Sequence, residues 1–569
     1  MRSLDTDVLI LGSGGAGLFA ALHAHQADPT LAITVAVKGL LGKCGCTRMV
    51  QGGYNVALAK EDSVERHFMD TIEGGKWLPD QDLAWKLVTL AVERIRELEN
   101  ELGCFFDRNP DGTVHQKAFA GQTFDRTVHK GDLTGIEIMN RLAEQVWARR
   151  INRLEEHRAV ELVKTRDDSA ISGVLMIDMR TGEYVFVRAK AVLLATGGGP
   201  TMYRYHTPSG DKSCDGLAMA LRAGLPLRDM EMVQFHPTGL LAGPHTRMTG
   251  TVLEEGLRGA GGYLLNGAKE RFMPKYDPLA ERATRDFVSR AMVSEMRKGS
   301  VTPNGGLYIS MAHLGPEKVA KNFKGMVERC ADCGFDLAGG LVEVVPTAHY
   351  MMGGVEFRPD CTTELPGLFV AGEDAGGVHG ANRLGGNGVA NSTVFGGVAG
   401  DTMAAWVKKE GMLRDPDQAA IVAAIARCEP KTVKSYGSLE PLRERLYDVM
   451  WQRVGVIRDR SGLESALSEL NAIADEIAAT GIADADRAFN LTWHDWLNLK
   501  SLVATSQAIA QAALTREDSR GAHFREDFPE SGPLEGSWYT QSRFSEGQIT
   551  IGKVPVAFTR VRPGQSLTR

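Results

Sequence analysis

The 569-residue chain predicts an α/β protein: a dinucleotide-binding (Rossmann-like) domain with an inserted α+β capping domain, followed by a C-terminal helical domain. Three observations carry this. The chain opens strand–glycine loop–helix–strand, the sign of a βαβ unit. A stretch at 225–345, irregular and rich in Gly, Pro and charge, interrupts the strand pattern, which resumes at 367–371. Residues 414–516 then run strongly helical with few glycines, as in a bundle.

Taken in order, residues 7–11 are an apolar strand ending in Gly12. Residues 18–26 read as an amphipathic helix and 33–37 as a second strand. Helical spacing recurs at 88–102 and 132–148. Residues 160–174 and 184–194 alternate as strands, and 394–408 reads as a helix. The tail from 519 holds strand-like runs at 548–551 and 554–559. The expected division is 1–234 and 351–410 for the two parts of the dinucleotide-binding domain, 235–350 for the cap, 411–525 for the helical domain and 526–569 for an extension.

Composition narrows the function. The chain is 43% hydrophobic and 24% charged, which is ordinary for a globular protein. A net charge of -6 argues against a general nucleic-acid surface. Eight cysteines spread over this length read as reduced thiols, not a disulfide framework. No signal peptide or apolar run of spanning length is evident. The expected location is cytoplasmic, with any membrane association through a partner.

Gly12-Ser13-Gly14-Gly15-Ala16-Gly17 fits GxGxxG between strand and helix. Gly12 permits the tight turn, Gly14 lets a pyrophosphate approach, and Gly17 lets helix pack on strand. Where a ribose-binding acid is usual at the end of the second strand, Lys38 stands. Two later glycine-bearing segments, Ala195-Thr196-Gly197-Gly198 and Leu368-Phe369-Val370-Ala371-Gly372-Glu373, also follow the strand pattern.

Further along come Gln234-Phe235-His236-Pro237-Thr238, Glu255-Gly256-Leu257-Arg258-Gly259, Thr284-Arg285-Asp286, Pro346–Gly354 around His349, and His379–Asn387 around Arg383. Together with Cys46-Thr47-Arg48-Met49-Val50-Gln51-Gly52-Gly53, this ordered set resembles the succinate dehydrogenase and fumarate reductase flavoprotein family, within the L-aspartate oxidase superfamily. Singly, each segment has a plainer explanation: Glu255 and Arg258 could be a helix salt bridge, and Arg383 a loop cap.

The resemblance implies a flavin-dependent interconversion of a small unsaturated and a saturated carboxylic acid, of fumarate/succinate type. It implies FAD held by Gly12, Gly14, Gly15, Ala16, Gly17, Lys38, Cys46, Thr47, Gln51, Gly52, Gly53, Thr196, Gly197, Asp215, Glu373, Asn387 and Val389. It makes Arg285 the proton donor, fed through Glu255 and Arg258. His236, Glu254, His349 and Arg383 fall at the substrate; Arg and His are the right types for carboxylate clamps. The Ser519–His523 segment resembles the respiratory type, which implies an iron–sulfur partner subunit.

Two positions depart from the pattern. Cys46 replaces the histidine that bonds FAD covalently in relatives, so non-covalent FAD is expected. A cysteinyl bond is the alternative, since thiolates are good nucleophiles. Glu254 replaces a threonine that helps bind a substrate carboxylate. Either it turns away, or it is protonated, or the substrate is another acid; an L-aspartate oxidase-like amine dehydrogenation is the alternative activity. No metal site is expected. The Cys330–Cys333 pair has no companion, the Asn391-Ser392-Thr393 sequon reads as chance, and Trp493 and Trp496 read as helix packing.

Overall fold

A computed structural model of the protein describes residues 1–244, 246–431 and 438–568. Residues 432–437 of the expected helical run therefore lie outside the described residues.

The expected α/β fold is present. Its centre is a seven-stranded sheet in which Asn152–Glu155, Ile33–Val37, Arg2–Leu11 and Glu183–Leu194 run parallel in that spatial order. Leu368–Val370 adds in parallel to the end of Glu183–Leu194. Gly12 and Ala195 thus leave adjacent strands side by side, since Leu11 is in register with Leu194. This is the crevice at the carboxyl ends of the strands where α/β sheets bind ligands.

The structure corrects several details of the sequence reading. Residues 160–174 are not one strand but the inner part of a hairpin, His157–Lys164 with Ile171–Asp178. Its turn carries Asp168 in the left-handed region (φ 61°), and the Asp167 carboxylate accepts from Thr165 and Ser169 hydroxyls. Both strands have the same two-residue period, so alternation alone did not reveal the turn. The C-terminal runs 548–551 and 554–559 are also redrawn. One strand, Gln548–Pro555, pairs with Trp538–Ser545 through Glu546 and Gly547, both at positive φ, as a two-residue hairpin turn requires.

The first helix, Gly15–Ala27, is not amphipathic: Gly15 to Ala24 are all buried. It is sandwiched between the sheet and the long helix Asn387–Glu410, whose first turns, rich in Gly and Asn, hid its start from the sequence reading. Two glycines set the spacing of that pair. A Cβ on Gly396 would lie 2.6 Å from the Ala16 carbonyl oxygen, and one on Gly400 2.4 Å from that of Ala20.

Between the two parts of the sheet, Val233–Leu240, Leu341–Met351, Leu307–Ser310 and Tyr263–Leu265 form an antiparallel sheet. The helix Arg285–Arg297 packs on it, and the unit has its own apolar core, including Leu240, Leu257, Val288, Met292 and Val344. The C-terminal helices Gln418–Cys428, Leu439–Arg453, Arg460–Ala479 and Leu491–Thr515 instead share the core of the main sheet. Arg460–Ala479 shows why: Leu463, Ala466, Leu470, Ile473 and Ile477 recur at three- and four-residue steps and are buried.

Substituting Gly400→Val forces the two packed helices apart. Overpacking of this kind destabilises by about 1–3 kcal/mol. Chemical denaturation of the variant checks this; an unchanged midpoint would contradict backbone-to-backbone packing.

Candidate active site

The cleft opens where the glycine loop meets the sheet. Gly12 takes φ 111°, and a Cβ there would sit 2.1 Å from the Ala195 carbonyl oxygen; one on Gly17 would sit 2.0 Å from that of Gly12. Those two glycines are needed for packing. Gly14 is different, because a Cβ there would meet only the Thr47 hydroxyl at 3.7 Å. Its backbone faces open space, and Gly14 at the N-cap has no side chain to cap the helix, which suits the helix start to a phosphate. Thr47 accepts from the Gly15 N–H at 3.2 Å. A dinucleotide pyrophosphate fits this cradle.

At the far end Lys38 does not stand alone. Its ammonium donates to Asp215 (3.0 Å), Ser213 (2.9 Å) and Asn498 (3.3 Å), and Arg158 donates to the other Asp215 oxygen at 2.7 Å. Against the push of burial, Arg158 and Lys38 hold the Asp215 carboxyl far below the usual carboxylate range. A carboxylate, that of Asp215 at the start of the helix Asp215–Arg222, thus lies beside Lys38 at this end of the cleft.

Thr196 and Gly197 line the same wall, held by Asp374, whose carboxylate accepts from the Thr196 hydroxyl (2.9 Å) and the Gly197 N–H (3.2 Å). Glu373 accepts from the Met351 and Gly199 N–H groups at 2.9 and 3.3 Å, and burial pushes its carboxyl up to about 7. Cys46, Gln51, Gly52, Gly53 and Val389 also line the cleft. Asn387 is not among these lining residues; its amide is used inside the protein by Asn55, His67 and Thr71. Its neighbours Gly388 and Val389 face the cleft instead.

Beyond the cradle, the cleft runs under the inserted unit to a buried cluster of charge. One Glu255 oxygen accepts from Arg285 Nη2 (2.7 Å) and Nε (3.1 Å), and the other accepts from Arg258 at 3.0 Å. Burial raises the Glu255 carboxyl, but Arg285 and Arg258 outweigh it, and the group sits below its ordinary value. Arg258 lies behind, out of the cleft, donating also to the Glu281 carbonyl at 2.7 Å. Glu255 and Arg285 line the cleft.

His236 and His349, from the paired strands Val233–Leu240 and Leu341–Met351, face each other with ring centroids 5.4 Å apart. Burial and the nearby arginines, Arg285 foremost, push both well below the usual imidazole range. Both are therefore neutral donors or acceptors. The Arg383 guanidinium lies 4.4 Å over the Tyr350 ring, its Nε without a partner, and burial brings it down to about 10. Sequence reasoning passed over Gln234. Its carboxamide accepts from Arg285 Nη1 (3.0 Å) and donates to the Arg383 carbonyl (2.7 Å). Lying two residues before His236 on one strand, it shares that residue's face, a signal present in the sequence.

Comparison with known proteins decides the family. The model described as "FAD binding domain" matches residues 7–389, and "Fumarate reductase flavoprotein C-term" matches 443–567. The chain is 40% identical over 539 residues to one subunit of the fumarate reductase (CoM/CoB) of Methanothermobacter marburgensis, covering 93% of this chain and 95% of that protein. It is 34% identical to the Mycobacterium tuberculosis fumarate reductase flavoprotein subunit, over 98% of each. A solved structure of the Escherichia coli quinol fumarate reductase flavoprotein superposes with a TM-score of 0.92 at 32% identity, covering 99% of each chain. This chain belongs to the fumarate reductase and succinate dehydrogenase flavoprotein family.

As a member of that family it is an FAD-binding oxidoreductase, and its two departures have defined surroundings. Cys46 opens a short 3₁₀ turn, Cys46–Met49, and burial, then the Glu373 carboxylate, push its thiol up to about 12. Glu254 is buried and lines the cleft. Its Oε2 lies 3.5 Å from the Lys117 ammonium but accepts no hydrogen bond. Burial raises its carboxyl, with Asp132 adding to the rise and Lys117 and Arg329 opposing it. Lys117 sits on the two-residue strand Gln116–Lys117, and no local motif marks it. Among the described residues no metal-binding group of side chains occurs, and no helix is long and apolar enough to cross a membrane. Asn391 of the sequon is buried, donating to Tyr350 and Gly372.

Glu255→Ala should destabilise the protein by about 3–5 kcal/mol, because two buried guanidinium groups lose their counter-charge. A carboxyl held below its unfolded value of about 4.3 contributes fully above that pH and progressively less as acid protonates it. The stability gap between the native chain and Glu255→Gln should therefore close below about pH 4; a gap that persists or widens in acid would contradict the ion-pair account.

Proposed function

We propose that the protein interconverts fumarate and succinate, or a closely related acid pair, with non-covalently bound FAD. The observation carrying this is the buried Arg258–Glu255–Arg285 chain, which ends in the cleft beside His236, His349 and Arg383. Bound FAD would supply two-electron chemistry through its N5. The chain's own residues would do the rest. Arg383 and the neutral His236 and His349 would hold carboxylates and exclude water, and Arg285 would present an N–H to the carbon receiving the proton.

An arginine is a weak acid in water, with a pKa above about 12. Here Arg285 shares two N–H groups with one Glu255 oxygen, so a proton given up at Nη can be replaced along the same hydrogen bonds. Arg258, on the other oxygen, would supply the replacement, passing a proton to Glu255 as Glu255 passes one to Arg285, and would itself be reprotonated from beyond the chain. Gln234 fixes the plane of the Arg285 guanidinium through Nη1. In the oxidising direction the same groups take the proton away.

The thiol of Cys46, held protonated, is a poor nucleophile, which supports non-covalent FAD. Names of relatives as subunits, with the C-terminal match over 443–567, support an iron–sulfur partner as the route for electrons and for any attachment to a membrane.

A second reading rests on Glu254. A buried carboxylate oxygen that accepts no hydrogen bond, with the Lys117 ammonium 3.5 Å away, suits a substrate whose end carries an ammonium or hydroxyl, as in L-aspartate-type amine dehydrogenation. Assays with fumarate plus a reduced dye, and with L-aspartate plus oxygen, separate the two readings.

Three outcomes are expected. Arg285→Ala abolishes turnover with flavin retained; appreciable residual reduction would remove Arg285 from the proton role. Acid precipitation leaves the yellow colour in solution, and colour in the pellet would overturn non-covalent attachment. Glu254→Thr raises kcat/KM for fumarate by about tenfold, equivalent to about 1.4 kcal/mol, by removing a carboxylate from the substrate end; a fall would favour the donor-bearing substrate.

A further inference from the structure

A second cavity, of about 720 Å³, lies outside the reaction site, in the size range of small-molecule pockets. It forms where the helices Leu491–Thr515 and Arg460–Ala479, the helix ending at Cys428, the helix Asp215–Arg222 and the Trp538–Pro555 hairpin meet the sheet. Arg158 and Asp215 line both this cavity and the adjoining end of the cofactor cleft.

Its charges do not balance. The Glu161 carboxylate serves both Arg222 (3.1 Å) and Arg427 (2.8 Å), and Asp215 serves both Lys38 (3.0 Å) and Arg158 (2.7 Å). Lys500 has no carboxylate partner among the described residues. Its ammonium donates only to the Arg427 carbonyl at 2.8 Å and lies 4.1 Å over the Trp496 ring. Four cations, Arg158, Arg222, Arg427 and Lys500, thus line the cavity with Asp215, while Glu161 is shared by Arg222 and Arg427, and partly buried charge left without a counter-charge is unfavourable. Leu467, Leu497, Phe544 and Ile549 give the same cavity an apolar part to its lining.

We propose that this cavity is a second binding site, for an organic phosphate of nucleotide size, with the phosphates on Arg222, Arg427 and Lys500 and the uncharged body against Leu467, Leu497, Phe544 and Ile549. None of these residues belongs to the reaction site. Burial holds Lys500 down at about 8, with Arg427 and Arg222 adding to the fall and only the Cys428 thiol opposing it. Burial, then Arg427, likewise lowers Arg222, with Glu161 opposing. A phosphate arriving here supplies the missing counter-charge, so binding near pH 8 takes up a proton.

Calorimetry on the full, FAD-loaded chain at pH 8, in two buffers of different ionisation enthalpy, tests this with ADP, pyrophosphate and adenosine. One ADP should bind per chain with proton uptake, pyrophosphate more weakly, and adenosine not at all. Lys500→Gln should remove the proton uptake, and both it and Arg427→Gln should weaken ADP by about tenfold or more. No ADP binding at millimolar concentration, or ADP binding unchanged in both variants, would overturn the site. Equal binding of pyrophosphate and ADP would overturn its organic part.

Discussion

A single carboxylate, Glu255, held between Arg285 and Arg258, is the constraint on which the reaction site depends. Two guanidinium groups and one carboxylate out of water are stable only when every charge is hydrogen-bonded, and the surrounding structure meets that condition. Arg258 donates also to the Glu281 carbonyl, leaving only its Nε without a partner, and Arg285 donates also to Gln234. The separate apolar core of the inserted unit holds the helices that carry Glu255–Arg258 and Arg285 in one place. Burial, with the positive field of the arginines adding to it, holds His236 and His349 well below the usual imidazole range, so in the proposed function the two imidazoles would recognise substrate by direction and not by charge.

The cofactor side rests on close backbone approach. Gly12 and Gly17 bring loop, strand and helix together, and Gly396 and Gly400 bring the long helix onto the first. These contacts put the start of the glycine loop, the Asp374-clamped Thr196–Gly197 turn and the N-terminus of the long helix around one cleft. Glu254 lines the same cleft with its Oε2 3.5 Å from the Lys117 ammonium, outside the Arg258–Glu255–Arg285 chain.

Much of this was legible in the sequence because it is local. GxGxxG placed after a strand identified the cradle, and ordered motifs identified His236, Glu255, Arg285, His349 and Arg383. What was hidden is tertiary or symmetric. The 160–174 run concealed a turn because a hairpin keeps the same two-residue alternation on both arms. The first helix looked amphipathic but is covered on both sides, on one of them by a helix distant in sequence. Asn387 sat inside a flavoprotein motif, yet its amide points into the core. Lys117 carried no motif, and only packing sets it beside Glu254. Gln234 could have been found, since strand periodicity puts it on the face of His236.

The claim that Arg285 hands on a proton, and does not merely hold substrate, is tested most directly by chemical rescue. Flavin-loaded Arg285→Gly should bind fumarate but fail to reduce it, and added guanidinium should restore turnover along a saturating curve, with no such rescue when Glu255→Gln is introduced as well. A folded, flavin-loaded Arg285→Gly protein that turns over unaided, or rescue that is indifferent to Glu255, would contradict the account.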